Sequence, residues 1–172
     1  MEHDRAVILL QKLSKTIKEN VESHDLINPR ADIKLENVHF IYPNQTTVFD
    51  NFSLEIPSGK TLGIVGQTGS GKTTLIKLLL RLYDTISGSI YIGDQNLKNM
   101  NLSSLRENIG FVNQEIHLFE GTVKENISYP YPPDNLDKIT KAAQISHALE
   151  FIKNLPKEFD TIIGERGQRI SV

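Results

Sequence analysis

The sequence feature that most restricts how this chain can fold is a glycine-rich stretch at residues 66–73. It follows the pattern G-x-x-x-x-G-K-[ST] of a phosphate-binding P-loop and consists of Gly66, Gln67, Thr68, Gly69, Ser70, Gly71, Lys72 and Thr73. Glycine adopts backbone conformations that other residues avoid, so successive N–H groups can converge on phosphate oxygens. The Lys72 ammonium suits the β- and γ-phosphates of a nucleotide, and the Thr73 hydroxyl suits Mg²⁺.

The residues on either side of this stretch supply the context that a P-loop needs. Residues 61–65 form an apolar run without a polar face, which predicts a strand buried on both sides of a sheet. Residues 72–83 are apolar at positions 75, 76, 78–80 and 82, with a narrow polar edge around Lys77 and Arg81, which predicts a largely buried helix. The N-terminus of that helix, which includes Thr74, would add free amides and the positive end of its dipole. A strand, loop and helix in this order predict phosphate binding rather than a glycine-rich turn without a ligand.

The rest of the hydrophobic pattern predicts an α/β core with a β-rich entry region. An imperfect alternation at residues 33–42 and an apolar stretch at residues 48–56 predict two strands. Residues 89–92 and 109–112 predict two more, and residues 136–154 predict one or two helices. Strands that precede a strand–loop–helix unit are typical of α/β proteins with a β-rich beginning.

The charge balance and the absence of cysteine exclude several functional classes. The chain has 19 Lys and Arg against 21 Asp and Glu, and its net charge of -2 predicts no nucleic-acid partner. Without cysteine it can form neither disulfides nor thiolate metal sites. The longest early apolar run, residues 6–10, is far below the roughly 20 residues that span a bilayer. We therefore expect the isolated chain to be cytoplasmic.

Further motifs, taken in chain order, narrow the identity of the P-loop. Tyr42 ends the first predicted strand, and Gln114 ends the stretch at residues 105–114. Residues 118–127 read Leu-Phe-Glu-Gly-Thr-Val-Lys-Glu-Asn-Ile, and residues 161–167 read Thr-Ile-Ile-Gly-Glu-Arg-Gly. Together with the P-loop, this series resembles the nucleotide-binding domain of ATP-binding-cassette (ABC) transporters of the exporter type. The resemblance covers nearly all of the chain after the N-terminal region.

The resemblance implies that ATP and Mg²⁺ are the ligands. Tyr42 would stack on the adenine base, and Gln114 would ligate Mg²⁺ and sense the attacking water. Residues 161–167 would contact the coupling helices of a membrane domain, which favours an exporter over an importer. The implied fold is a P-loop NTPase core with an antiparallel β entry subdomain and a partial helical subdomain.

The resemblance also implies a larger parent protein at the cytoplasmic face of the cell membrane. Its partners would be transmembrane domains and a second nucleotide-binding domain in a head-to-tail dimer. Apolar residues at spacings of three and four predict a helix at residues 2–21. Residues 1–28 would be a linker helix from a preceding membrane domain, and residues 29–172 an incomplete nucleotide-binding domain. A helix that packs on its own domain is the alternative for residues 2–21.

The resemblance ends at the last residues of the chain. The family pattern continues with the signature Ser-Gly-Gly-Gln, whereas this sequence gives Ser171 and then Val172. A Walker B strand with its Mg²⁺-binding Asp and catalytic Glu, and a switch histidine, are not found in the sequence. We expect a missing C-terminal part, no catalytic residue in this chain, and binding of ATP without hydrolysis. The missing part should also leave apolar faces exposed at residues 61–65 and on the helix after the P-loop.

Two other functional classes remain open from the sequence alone. A non-hydrolysing nucleotide-binding or interaction module is suggested by the missing metal carboxylate and base. A soluble P-loop kinase of small metabolites would need an acceptor pocket and an arginine-bearing lid, and no arginine cluster follows the P-loop. A soluble cassette protein such as a translation factor is disfavoured by residues 164–167, which resemble the exporter segment.

Overall fold

The computed structural model of this chain describes residues 22–114 and 118–164. The helix predicted at residues 2–21 lies outside these ranges, and so do the last residues of the predicted exporter segment at 161–167. The chain divides into two compact units, with the boundary after Phe111.

A four-stranded antiparallel sheet forms the framework of the first unit. Its strand order is β2-β1-β3-β4, with β1 (Ile33–Ile41), β2 (Thr47–Ile56), β3 (Ser87–Ile92) and β4 (Gln95–Asn96). Every neighbouring pair in this sheet is antiparallel. The first three strands agree with the prediction from the sequence, and the antiparallel β entry subdomain is confirmed.

The imperfect alternation in β1 has a structural cause. Leu35 and Val38 are both buried although they are three residues apart. Their partners on β2 are only two residues apart, so β1 carries one extra residue between them. Asn37 lies at this irregularity with a φ of 50°, a left-handed conformation that asparagine tolerates better than most residues. The bulge therefore returns the second apolar side chain to the core face.

The helix after the P-loop is shorter than the sequence predicts. Helix α1 spans Lys72–Leu79 and ends at the cap residue Leu80. Arg81 then adopts a left-handed φ of 47°, which stops the helix before the predicted end at residue 83. Leu75 and Leu78 are 3% and 1% exposed and belong to the same core as the buried residues of β1. The sequence predicts an exposed apolar face on this helix. That prediction is wrong for Leu75 and Leu78, because both are buried.

Two predicted strands are wrong. Residues 61–65 and 109–112 form no strand, and within the described ranges no strand pairs with either segment. The side chains of Val65 and Val112 are 94% and 88% exposed. An apolar run becomes a buried strand only where neighbouring strands supply hydrogen bonds, and the four strands of the sheet bond to one another instead. The exposure of residues 61–65 agrees with the expectation of an uncovered apolar segment.

A short helix follows the sheet and holds the segment that precedes β1. Helix α2 spans Leu102–Glu107, and a 3₁₀ turn at Leu97–Asn99 leads into it. Leu26 is buried in the core, and its backbone N–H donates to the Ser104 hydroxyl at 3.0 Å. The Gln95 amide binds the backbone on both sides of Leu26. Residues 22–28 are thus attached to the first unit, while a linker helix at residues 1–28 stays a prediction.

The second unit combines a two-stranded ribbon with three short helices among its described residues. Strands β5 (Gly121–Thr122) and β6 (Ile162–Ile163) pair antiparallel. The helices are α3 (Val123–Ser128), α4 (Leu136–Ile145) and α5 (Leu149–Lys153). The prediction of one or two helices at residues 136–154 is confirmed, and there are two, α4 and α5. Its core contains Val123, Ala143, Ile152, Leu155 and Ile163. Among the residues described in either unit, no helix has the length and apolar character needed to cross a bilayer.

Candidate functional site

The P-loop forms an exposed turn that leads directly into α1. Gly69 and Gly71 have φ values of 86° and 93°, in the left-handed region that glycine adopts without a Cβ clash. Gly71 is the N-cap of α1, and its carbonyl accepts the first helical hydrogen bond from the N–H of Leu75 at 2.9 Å. The loop therefore places its backbone at the positive end of a helix, where anions are stabilised.

The Lys72 side chain folds back across the loop that precedes it. Its ammonium donates to the carbonyl oxygens of Gly66 and Gln67, at 2.7 Å each. The Ser70 hydroxyl lies 3.4 Å from the same nitrogen. The chain thus holds a positive charge inside the turn, next to the free N–H groups of the first turn of α1.

Two loop glycines have close neighbours that an added side chain would have to displace. A Cβ on Gly66 would lie 2.7 Å from the Ser70 hydroxyl. A Cβ on Gly71 would lie 2.8 Å from a methyl group of Val48 and 3.1 Å from the Phe49 ring. At Gly71 the loop backbone therefore packs closely on β2, and both this contact and its φ of 93° favour glycine.

The two threonines that follow Lys72 have different surroundings. Thr73 is exposed, so its hydroxyl is available to a metal ion or a phosphate. Thr74 is 5% exposed, and its hydroxyl lies 3.0 Å from the hydroxyl of Tyr42. In the described part of the chain, no three His, Cys, Asp or Glu side chains form a metal site. A hydroxyl donor beside phosphate ligands is the kind of site that Mg²⁺ accepts, since it keeps several waters.

Tyr42 lies beside α1 and not in open solvent. Its ring is within 5.3 Å of the Tyr83 ring and 4.9 Å of the Phe40 ring, both in edge-to-face geometry. The Lys77 ammonium lies 5.8 Å from the centre of the Tyr42 ring. Neither Lys77 nor Tyr83 is predicted from the sequence as part of the site. Lys77 could have been predicted from the sequence, because residues three apart on a helix share one face and Thr74 is already a candidate site residue.

Gln114 belongs to the second unit, whereas Tyr42 and the P-loop belong to the first. Gln114 is exposed, and its backbone N–H donates to the side-chain oxygen of Asn113 at 2.9 Å. The structure therefore brings together Tyr42, the P-loop and Thr74, and the role of Gln114 as a Mg²⁺ ligand stays a prediction.

A family model described as "ABC transporter" matches residues 49–172, which is most of the chain and includes the whole P-loop. The chain belongs to the ABC transporter family. A solved structure, described as that of a bacterial Atm1-family ABC exporter with ATP bound, is similar to it with a TM-score of 0.80 and 32% identity. The similarity covers 88% of this chain and 27% of that one. The resemblance to an ABC nucleotide-binding domain and the expected fold class are thereby confirmed.

Curated ABC transporters show the same likeness along most of the chain. An ATP-dependent lipid A-core flippase of Photobacterium profundum is 39% identical over 95% of this chain and 28% of its own length. The mitochondrial iron-sulfur clusters transporter ATM1 of Chaetomium globosum is 40% identical over 94% of this chain and 27% of its own. The mitochondrial ATP-binding cassette sub-family B member 10 of Mus musculus is 44% identical over 81% and 20%. The chain therefore spans less than a third of each of these relatives.

The ABC transporter motif at residues 118–127 builds the start of α3 in the second unit. The Thr122 side chain caps the helix, and the Glu125 carboxylate accepts from the N–H and hydroxyl of Thr122 at 2.6 and 2.7 Å. These two hydrogen bonds hold the pKa of Glu125 below its ordinary value. Asp160 lies 2.6 Å from the Lys124 ammonium, and its hydrogen bond and charge raise the pKa of Lys124. This motif is therefore a structural cap, joined through β5 to the segment at β6.

Proposed function

We propose that this chain binds ATP through its P-loop and is the ATP-binding part of an ABC exporter, an ATPase that drives transport across a membrane. The observation that carries the proposal is the position of Lys72. Its ammonium lies inside a glycine turn at the N-terminus of α1, with two carbonyl contacts of 2.7 Å. A cation and free helix amides that converge on one turn form an anion site, and a triphosphate matches its charge and size.

Each part of the nucleotide has a counterpart among the candidate residues. The phosphates would take the Lys72 ammonium and the backbone N–H groups of residues 66–74. The Thr73 hydroxyl would be a ligand of Mg²⁺, which neutralises phosphate charge when it is bound, and Gln114 as a Mg²⁺ ligand stays a separate prediction. The Tyr42 ring would meet the base, since stacking holds a flat heterocycle without base-specific hydrogen bonds.

The membrane setting of this function rests on the relatives. Two of them are an ATP-dependent lipid A-core flippase and a mitochondrial iron-sulfur clusters transporter. We propose that the whole protein works at the cytoplasmic face of a membrane with transmembrane domains and a second nucleotide-binding domain. Residues 1–28 would then be the linker from the membrane domain.

Hydrolysis needs groups that these 172 residues do not supply. Phosphoryl transfer to water requires a carboxylate or similar group that orients the nucleophile, and the sequence has no Walker B segment. We therefore expect the chain by itself to bind ATP without turnover, and the whole exporter to hydrolyse it.

The experiment that tests the proposal is ATP binding by the chain and by Lys72→Ala, measured by titration calorimetry. Losing a charged hydrogen-bond donor to phosphate should weaken binding by about 10-fold or more, since such bonds contribute about 1.5–3 kcal/mol. Lys60→Ala is the matched control, because Lys60 is an exposed lysine outside the loop. Equal affinity of Lys72→Ala and the unmodified chain, with unchanged circular dichroism, would contradict the proposal. Turnover by the chain that Lys72→Ala abolishes would contradict the expected lack of hydrolysis.

A further inference from the structure

Tyr42 lies along one face of α1 and contacts two successive turns of that helix. Its hydroxyl is 3.0 Å from the hydroxyl of Thr74, in the first turn. Its ring is 5.8 Å from the ammonium of Lys77, in the second turn, which is within the range of a cation–π contact. Thr74 and Lys77 are three residues apart and share a helix face. The helix that begins at the P-loop therefore also carries the contacts that orient Tyr42.

Two aromatic side chains hold the same ring from outside the helix. Tyr83, from the segment after α1, packs against Tyr42 at 5.3 Å with an interplanar angle of 87°. Phe40, from β1, packs against Tyr42 at 4.9 Å and 80°, and the Phe40 and Tyr83 rings also touch, at 5.6 Å. Two edge-to-face contacts from rings that also contact each other leave the Tyr42 ring few orientations. Its direction is set by helix, strand and following segment together.

We propose that Lys77 and Tyr83 are positioning residues that hold the Tyr42 ring for the base of a bound purine nucleotide. The inference rests on the proposed function and adds two residues that lie outside the P-loop at residues 66–73. A ring that is already held loses little rotamer freedom when a base stacks on it, so affinity for the base rises. Because Lys77 lies on the helix that starts at the phosphate loop, it also links the position of the ring to the position of the triphosphate.

The test compares ATP with inorganic tripolyphosphate, which presents the phosphates without a base. Both ligands are titrated by calorimetry into the full chain and into two pairs of variants. Lys77→Met removes the charge at similar length, and Lys77→Arg restores it. Tyr83→Leu removes the ring, and Tyr83→Phe restores it. We expect Lys77→Met to weaken ATP binding about 2- to 5-fold and Tyr83→Leu about 2- to 10-fold. Tripolyphosphate affinity should stay within about 2-fold, and Lys77→Arg and Tyr83→Phe should recover ATP affinity.

The ratio of the ATP affinity to the tripolyphosphate affinity separates this inference from the proposed function. If Lys77→Met and Tyr83→Leu leave that ratio at its unmodified value while the chain binds both ligands, the positioning role is wrong and ATP binding stands. If the variants lose ATP and tripolyphosphate equally, the residues act on the fold or the phosphates, and the inference is again wrong. If the unmodified chain binds neither ligand, both the inference and the proposed function fail.

Discussion

Adding one methyl group at Gly71 tests how the phosphate loop is held against the sheet. Gly71 has a φ of 93° and a ψ of 3°, so alanine there would take a left-handed backbone that costs about 1–3 kcal/mol. Its Cβ would lie 2.8 Å from the Val48 methyl group and 3.1 Å from the Phe49 ring, and relieving such an overlap costs about 1–3 kcal/mol more. We expect Gly71→Ala to lower the free energy of unfolding by about 2–6 kcal/mol, the sum of these two costs.

Gly69→Ala is the matched control within the same loop. Gly69 has a similar φ of 86°, but a Cβ there would meet no atom within 4 Å among the residues described. Its substitution therefore carries only the backbone cost of about 1–3 kcal/mol. Urea denaturation followed by circular dichroism and tyrosine fluorescence measures both, since the chain has no tryptophan. The difference between the two variants isolates the packing of the loop on β2.

The result that would refute this reasoning is an equal loss of stability in both variants. The close approach of Gly71 to Val48 and Phe49 would then add no cost beyond backbone strain. A larger loss in Gly69→Ala than in Gly71→Ala would contradict the loop geometry itself.

Two further predictions concern the cap of α3 and the segment before β1. The pKa of Glu125 is lowered by its bonds to Thr122, so the cap stabilises the fold above the ordinary carboxyl range near pH ~4.3. That stability is lost as the pH falls through the lowered pKa of Glu125 in the folded chain. Thermal melts at successive pH values should therefore show a smaller drop in melting temperature at acid pH for Glu125→Gln than for the unmodified chain. An equal drop in both would count against the cap. Leu26 is buried whereas Ile27 is 82% exposed, so Leu26→Ala should cost about 2–4 kcal/mol and Ile27→Ala less than about 0.5 kcal/mol. Urea melts that give equal losses would show that residues 22–28 do not belong to the core.

Local chemistry explains why the glycine-rich turn before α1 could be predicted from the sequence. Its geometry depends on the helix that starts at Lys72 and on Gly69 and Gly71. These glycines adopt left-handed conformations because they have no Cβ that would clash. The contact of Lys72 with the loop carbonyls spans only five or six residues. Interactions this close in the chain do not require knowledge of the rest of the fold.

The predictions of strands at residues 61–65 and 109–112 are wrong because strand formation depends on distant parts of the chain. Their apolar residues resemble those of buried strands, but a strand exists only through hydrogen bonds to other strands. Which segments pair is decided by the whole sheet, and in the described chain the partners of β1 are β2 and β3.

The sequence by itself determined the P-loop, its place between a β-rich region and a helix, and the likeness to ABC nucleotide-binding domains. Only the tertiary structure decided which side chains surround Tyr42. Lys77 and Tyr83 are 35 and 41 positions away in the sequence and reach its ring only because α1 packs on the same core as β1. Hydrogen bonds and backbone conformations within a few residues are properties of the local sequence. Contacts between distant residues depend on how the buried apolar faces fit together, and that is settled only when the whole core is packed.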